Sequence, residues 1–250
     1  MPPICLHLGF AEEAIARLRH PIVDQYKGSY YLGSTAPDIR LVMSASREET
    51  HFLSLESEEG ASGVNPLFKL HPKLKGNANV SAATRAFVAG YLSHLVTDEA
   101  WIYRIFRPFF GALSPLGGGP VANLYDRVLQ FELDQRERAN NSSMSRIRKE
   151  LMESTSGVEV DFIDPLSLER WREFVSTVAT RQASWEDFRR FAGKYLIWMQ
   201  QIASNDLDSF FSSFDKSLEQ VMEIVPNEQL IEFREQSIAD SVAVAREYLG

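Results

Sequence analysis

Cys5 is the single cysteine in 250 residues, which leaves no partner for an internal disulfide and excludes a zinc site built on thiolates. Positive charge is also short: 26 lysines and arginines face 34 aspartates and glutamates, for a net charge of −8. The basic field that would gather nucleic acid or an anionic bilayer is missing, so no double-stranded nucleic acid partner is expected. Long apolar runs are absent as well. The most apolar stretch, 82–110, carries Arg85, His94, Asp98, Glu99, Arg104 and Arg107, which argues against a membrane span. The opening MPPICLHLGFAEEAIARLRH has no basic start and reaches acids at Glu12, unlike a secretory signal, and a cytoplasmic location is the expectation. No segment alternates with period two over strand length, and no internal repeat is visible.

What is present reads as helix. Helical spacing and stop signals predict helices over 3–19, 24–32, 82–106, 121–138, 144–153, 166–180, 185–204, 207–224 and 227–249, an all-α multi-helix bundle. Gly33 and Pro108 read as stops. Between Met43 and Asn79 the chain is rich in Ser, Glu, Gly and Pro and reads as one long irregular loop, and loops of such length tend to be functional. Flexible joints are expected at 140–145 and 154–161. The second divides a helical core, 1–153, from a C-terminal helical extension, 154–250, packed on the same domain. Trp198, Phe210, Phe211 and Phe214 of that extension either pack on the core or form a homo-oligomer interface.

The residues with metal-binding chemistry sit in the first half. With 3.6 residues per turn, His94 and Asp98 share a face with Phe87, Gly90, Tyr91 and Trp101. The other side, with Val88, Leu92, Leu95 and Val96, is apolar too, so this helix should be central and its polar pair desolvated. An imidazole one turn from a carboxylate suits either a ligand pair or a hydrogen bond inside the core. His7 lies one turn into an apolar helix start. Asp38 follows Pro37 in YYLGSTAPDIR, and His51 sits between Thr50 and Phe52 in the irregular segment. Each residue has an ordinary structural use on its own. Together, three imidazoles and two carboxylates suffice for one or two metal ions, and a set without thiolate suits zinc, manganese or iron with open positions. His20, beside Pro21, and His71, in KLHPKLKG, read as surface residues.

HLGFAEEAI, YYLGSTAPDIR, ETHF and AFVAGYLSHLVTDEAW, in this order, resemble the zinc-dependent phospholipase C family, which is all-helical and related to single-strand-specific fungal nucleases. The resemblance implies a zinc centre held by His7, Asp38, His51, His94 and Asp98. A metal-bound carboxylate is held within hydrogen-bond reach of the nucleophile, so Asp38 is also expected to orient or deprotonate the attacking water. The chain departs from the family in two respects. It lacks the processed N-terminal tryptophan that serves the secreted enzymes as a ligand. It also has no histidine after His94, where the family draws two histidines and a glutamate for a further ion. A third zinc of that kind is thereby excluded, and phosphatidylcholine is not the expected substrate. Glu132 and Asp134 in FELDQRER read as solvated helix residues, and Arg40 as a residue that steadies a phosphate or pairs at the surface.

The function expected on these grounds is a metal-dependent hydrolase of small phosphate esters. The alternative is a helical protein of the same fold whose metal site is structural or vestigial, acting as a binding or scaffold module. A histidine–aspartate phosphohydrolase fits less well, because no His-Asp dipeptide occurs.

Overall fold

The computed structural model describes residues 2–54, 57, 60–75, 80–154, 157–198 and 200–250. Those residues are all-helical, with no strand among them. Helix α1 runs Ile4–Leu18, α2 Pro21–Gln25 and α3 Lys27–Gly33, followed by a 3-10 helix, Ala36–Leu41. Next come α4, Arg47–His51, α5, Val64–Leu70, and a 3-10 turn, Pro72–Lys75. The central α6, Ala82–Trp101, passes into a π-helical stretch, Ile102–Phe110, before α7, Gly119–Arg138, and α8, Asn141–Glu153. Helices α9, Pro165–Thr180, α10, Trp185–Phe191, α11, Ser204–Ser212, α12, Phe214–Ile224, and α13, Asn227–Leu249, complete the chain.

Several boundaries differ from the sequence expectation. The segment 43–79 is not one irregular loop, because α4, α5 and a 3-10 turn interrupt it. Helix α4 is held by a capping box in which Glu49 N–H donates to Ser46 Oγ at 3.2 Å and Ser46 N–H donates to Glu49 Oε2 at 2.6 Å. Residues 55, 56, 58, 59 and 76–79 of the expected loop, and 155 and 156 of the expected joint, lie outside the described residues. Pro108 does not stop the helix that contains His94. The chain continues with π geometry to Phe110, and Gly111 N–H reaches Phe106 O, five residues back, at 2.8 Å. The wider turn eases the clash a proline ring otherwise makes with the carbonyl one α-turn earlier. The helix expected over 185–204 stops at Phe191 and gives way to π geometry over Ala192–Leu196. The one expected over 207–224 breaks at Ser213.

Helix α6 is the axis of the molecule. Ser81 caps it, accepting from Thr84 N–H at 3.1 Å, and almost every residue from Ala83 to Trp101 is buried. It is polar at few positions because it is covered nearly all round. Helix α3 lies on one side and α13 on another, and α13 also packs on α1. A Cβ on Gly33 would stand 1.9 Å from the carbonyl oxygen of Phe87, so α3 and α6 meet backbone to backbone. One hydrophobic core extends from Ile4 to Leu249, and α13 contributes Phe233, Ile238 and Ala245 to it.

In the C-terminal half, Phe210 is buried, Phe211 and Phe214 pack with Trp185 and Phe188, and Trp198 is exposed. No helix among the described residues is long and apolar enough to cross a membrane.

Candidate metal centre

Four short stretches of chain deliver five side chains to one place. His7 comes from the second turn of α1, whose start is fixed from α7: Asp134 accepts the Cys5 N–H at 2.9 Å and pairs with Arg138 at 2.5 Å. Asp38 lies in the first turn of the 3-10 helix, with its N–H on Thr35 O at 3.1 Å. His51 ends α4, and the left-handed Phe52 turns the chain away immediately after it. Tyr91 of α6 donates its hydroxyl to Thr50 O and pins α4 against the central helix. His94 and Asp98 are one turn apart on α6, as their spacing indicated.

The donor atoms converge. His7 Nε2 stands 3.4 Å from Asp98 Oδ1, His51 Nε2 3.2 Å from Asp98 Oδ2, and His94 Nε2 3.5 Å from the same oxygen. His51 and His94 approach through their Nε2 atoms at 3.3 Å, and His51 Nε2 is 3.7 Å from Asp38 Oδ1. Two overlapping triplets result, His7–His94–Asp98 and Asp38–His51–His94, each with its donor atoms within 4.8 Å of one another. Donors bound tetrahedrally to one zinc at 2.0–2.1 Å stand roughly 3.3 Å apart, so these spacings fit an ion with little movement. His7, His51, His94 and Asp98 are buried, whereas the side chain of Asp38 is 15% exposed and marks the open side.

Hydrogen bonds behind the rings set which nitrogen faces the centre. Ser34 O can only accept, so His94 Nδ1 carries the proton and donates to it at 2.9 Å, which leaves Nε2 free to coordinate. Trp171 of α9 steadies this turn by donating to Thr35 Oγ1 at 3.1 Å. Thr50 Oγ1 gives its one hydrogen to Arg47 O at 3.3 Å and accepts from His51 Nδ1 at 3.0 Å, so His51 Nε2 also faces inward as a lone pair. The His7 ring lies against that of His94, centroids 3.9 Å apart and 14° from parallel.

The electrostatics follow from burial. Burial, reinforced by neighbouring His94 and opposed by Asp98, pushes His7 down to about 4. Burial also lowers His51, against the opposing pull of Asp98 beside it. At His94 burial pulls the same way and is the largest single effect, but Asp98, Asp38 and the Ser34 carbonyl together outweigh it, and the ring ends above the usual imidazole range. Burial acts to raise Asp98, yet the charge of His94 and the close approach of the His51 and His7 rings hold its carboxyl well below the usual range. His7 Nε2 and Asp98 Oδ1 nevertheless lack a hydrogen-bond partner, although each is buried. Two orphaned buried atoms facing each other are what a shared cation would satisfy. Nitrogen and oxygen donors alone, at these spacings, fit a divalent ion of the zinc class.

Of the remaining histidines, His20 accepts from Ile22 N–H at 3.3 Å at the start of α2, and His71 pairs with Asp161 at 2.7 Å. Neither belongs to the cluster. Glu132 pairs with Arg136 on the surface of α7, whereas Asp134 is buried, not solvated as its sequence setting suggests, because it anchors α1. Sequence reasoning missed Ser34, Thr50 and Arg47. Arg47 is buried beside the cluster and donates from Nη2 to Asp98 Oδ2 at 3.3 Å. Its one visible signal is the spacing to His51, one helical turn on. Glu99, next to Asp98, turns elsewhere and accepts from Gly63 N–H at 2.8 Å and Ser62 Oγ at 3.1 Å, while burial pushes its carboxyl up to about 7. No family model, curated protein or solved structure matches this chain.

Proposed function

We propose that the protein is a metal-dependent hydrolase of phosphate esters, with His7, Asp38, His51, His94 and Asp98 holding one or two divalent ions, zinc by preference and manganese or iron as alternatives. The observation that carries this reading is the convergence of three imidazole Nε2 atoms on Asp98, with two buried polar atoms of that group unpaired. The resemblance of these chain segments to the zinc-dependent phospholipase C family supports it. When bound, a divalent ion would polarise a phosphoryl oxygen and lower the pKa of a water toward neutrality.

The chain's own residues have separable roles in this scheme. His94, locked by Ser34, and His51, locked by Thr50, present fixed lone pairs. Asp98 bridges the histidines. Asp38, the one partly exposed member of the five, would orient the attacking water and take its proton. The surrounding burial excludes other water. A small or activated phosphate ester is the substrate class proposed, because no histidine after His94 supplies a further ion.

Elemental analysis of untagged protein, followed by hydrolysis of bis(p-nitrophenyl) phosphate with and without chelator, tests this reading. Metal at one or two equivalents and chelator-sensitive turnover are expected, and protein that takes up no metal overturns it. Metal without turnover favours the alternative of a structural or vestigial site in a binding or scaffold module. One observation favours that alternative: four of the five donors are buried and Arg47 already gives Asp98 a cationic partner.

A further inference from the structure

Although 24% of the chain is charged, no charged side chain occurs from Pro108 to Tyr125, where the π-helical stretch gives way to α7. Residues 111–118 fold back there as a tip. Ser114 N–H donates to Gly111 O at 3.0 Å and Gly117 N–H to Ser114 O at 2.9 Å, so part of its backbone is already paired. Gly117, Gly118 and Gly119 have φ of 70°, 70° and 82°, a run that other residues resist. The tip holds apolar groups out in solvent. Leu113 is fully exposed, Leu116 is 38% and Val121 41% exposed, and Pro115 and Pro120 stand open beside them. Asn123 of α7 donates to Gln201 O at 3.0 Å, which sets the turn that carries Trp198, itself 78% exposed, beside the start of α7. Exposed apolar groups gathered in one place mark a surface that something covers.

We infer that this tip docks the protein on a lipid bilayer, with Leu113 and Leu116 entering the interfacial layer. Charge and shape select that occupant. The charged residues that bound the gap are Arg107 on one side and Asp126 and Arg127 on the other. Asp126 is buried and accepts from Trp101 Nε1 at 3.0 Å and Gln130 Nε2 at 2.6 Å, so the rim is cationic. An uncharged, protruding tip between arginines complements a bilayer, which offers acyl chains to the leucines and phosphates to the cations. Tryptophan favours the boundary between the two layers. A second copy of the chain fits less well. Two leucines, a valine and two prolines fall short of the roughly 800 Å² per partner of a standard interface. A cleft of this chain near Gly60 and Ala61 is lined by Glu99, Arg104 and Asp240, a poor receptor for a leucine. Attachment by insertion needs no anionic lipid, so a net charge of −8 does not stand against it. The inference does not rest on the hydrolase reading and holds with or without a bound ion.

The test is flotation of the full chain with phosphatidylcholine vesicles, at low salt and at roughly 0.5 M salt, where exposed charges are screened. Wild type should float with the vesicles in both. Leu113→Glu should bind roughly 10- to 100-fold more weakly, the range for keeping one leucine out of an apolar phase. Leu113 is fully exposed, so helicity and thermal unfolding of this variant should match wild type. Leu113→Trp should bind more tightly. Leu166→Glu, at another exposed leucine on α9, should float as wild type does. Wild type that never floats overturns the inference. So does flotation that the higher salt abolishes, which would make the attachment electrostatic, or an equal loss in Leu166→Glu, which would make it unspecific. A wild-type dimer that Leu113→Glu splits, with no binding to vesicles, gives the tip to a second copy and overturns it too.

Discussion

The carbonyl oxygen of Tyr30 occupies the space that a side chain on Gly90 would need: a Cβ built there would lie 2.0 Å away. Helices α3 and α6 are therefore in backbone contact one turn before His94. This contact brings Ser34 O within 2.9 Å of His94 Nδ1. Gly90→Ala should force the helices apart and destabilise the protein by about 1–3 kcal/mol or more, the usual range for overpacking. It should also weaken metal binding, since the bond that orients His94 is stretched. Thermal unfolding and metal titration of Gly90→Ala check both. Wild-type stability would show that the helices separate without penalty.

Metal binding should depend on α6 as a unit. His94→Ala and Asp98→Ala are each expected to lose stoichiometric metal, because every triplet of donors includes His94 and the three imidazoles meet on Asp98. His20→Ala, which alters only a helix start, should bind as wild type does. Elemental analysis of the three variants decides. Full metal content in His94→Ala would place the site elsewhere.

Asp38→Asn should separate binding from chemistry. An amide oxygen still coordinates, so most of the metal should remain, but the group that accepts a proton is gone. Loss of a general base typically costs about 10²–10⁴ in rate. Equal kcat/KM for Asp38→Asn and wild type on an activated phosphodiester would rule out the role given to this carboxylate.

Glu99 makes stability fall with rising pH in metal-free protein. Its carboxyl is raised from 4.5 to about 7 in the folded state, chiefly by burial. Between these values the unfolded chain has lost this proton while the folded one keeps it, so stability is lost as pH rises from 4.5 to 7. Glu99→Gln keeps an acceptor for Gly63 N–H and removes the titration. Chemical denaturation with chelator present should show little difference at pH 4.5 and a gain of roughly 1–3 kcal/mol for Glu99→Gln at pH 8. A gain of the same size at both pH values would point to packing instead of charge.

The fold was legible where helices are long and apolar on a regular period. The last helix covers 227–249 as expected, and α1, α7, α8 and α9 lie within a few residues of their predicted bounds. Helix α4 is too short for periodicity to register, although its capping box, Ser46 with Glu49, stood in the sequence. Pro108 misled, because a π turn accommodates a proline that an α turn does not. For the candidate site, the spacing of His94 and Asp98 announced a shared face, and the segments with His7, Asp38 and His51 do meet it. Arg47 stayed hidden: an arginine followed by two glutamates reads as a solvated charge, and only the packing of α4 shows it buried. Ser34 and Thr50 act through a carbonyl and a hydroxyl that no side-chain pattern advertises.

The place of α13 has a consequence for how the protein is made. Every proposed ligand lies at or before Asp98, yet the helix that covers α6 and packs on α1 is Asn227–Leu249. A chain still on the ribosome presents all five of these side chains well before α13 can pack on α6 and α1. If the proposed ion is bound, its firm capture would follow the packing of Asn227–Leu249 on α6 and α1. A protein cut before Asn227 would leave the apolar flank of α6 open, a surface for chaperones to hold.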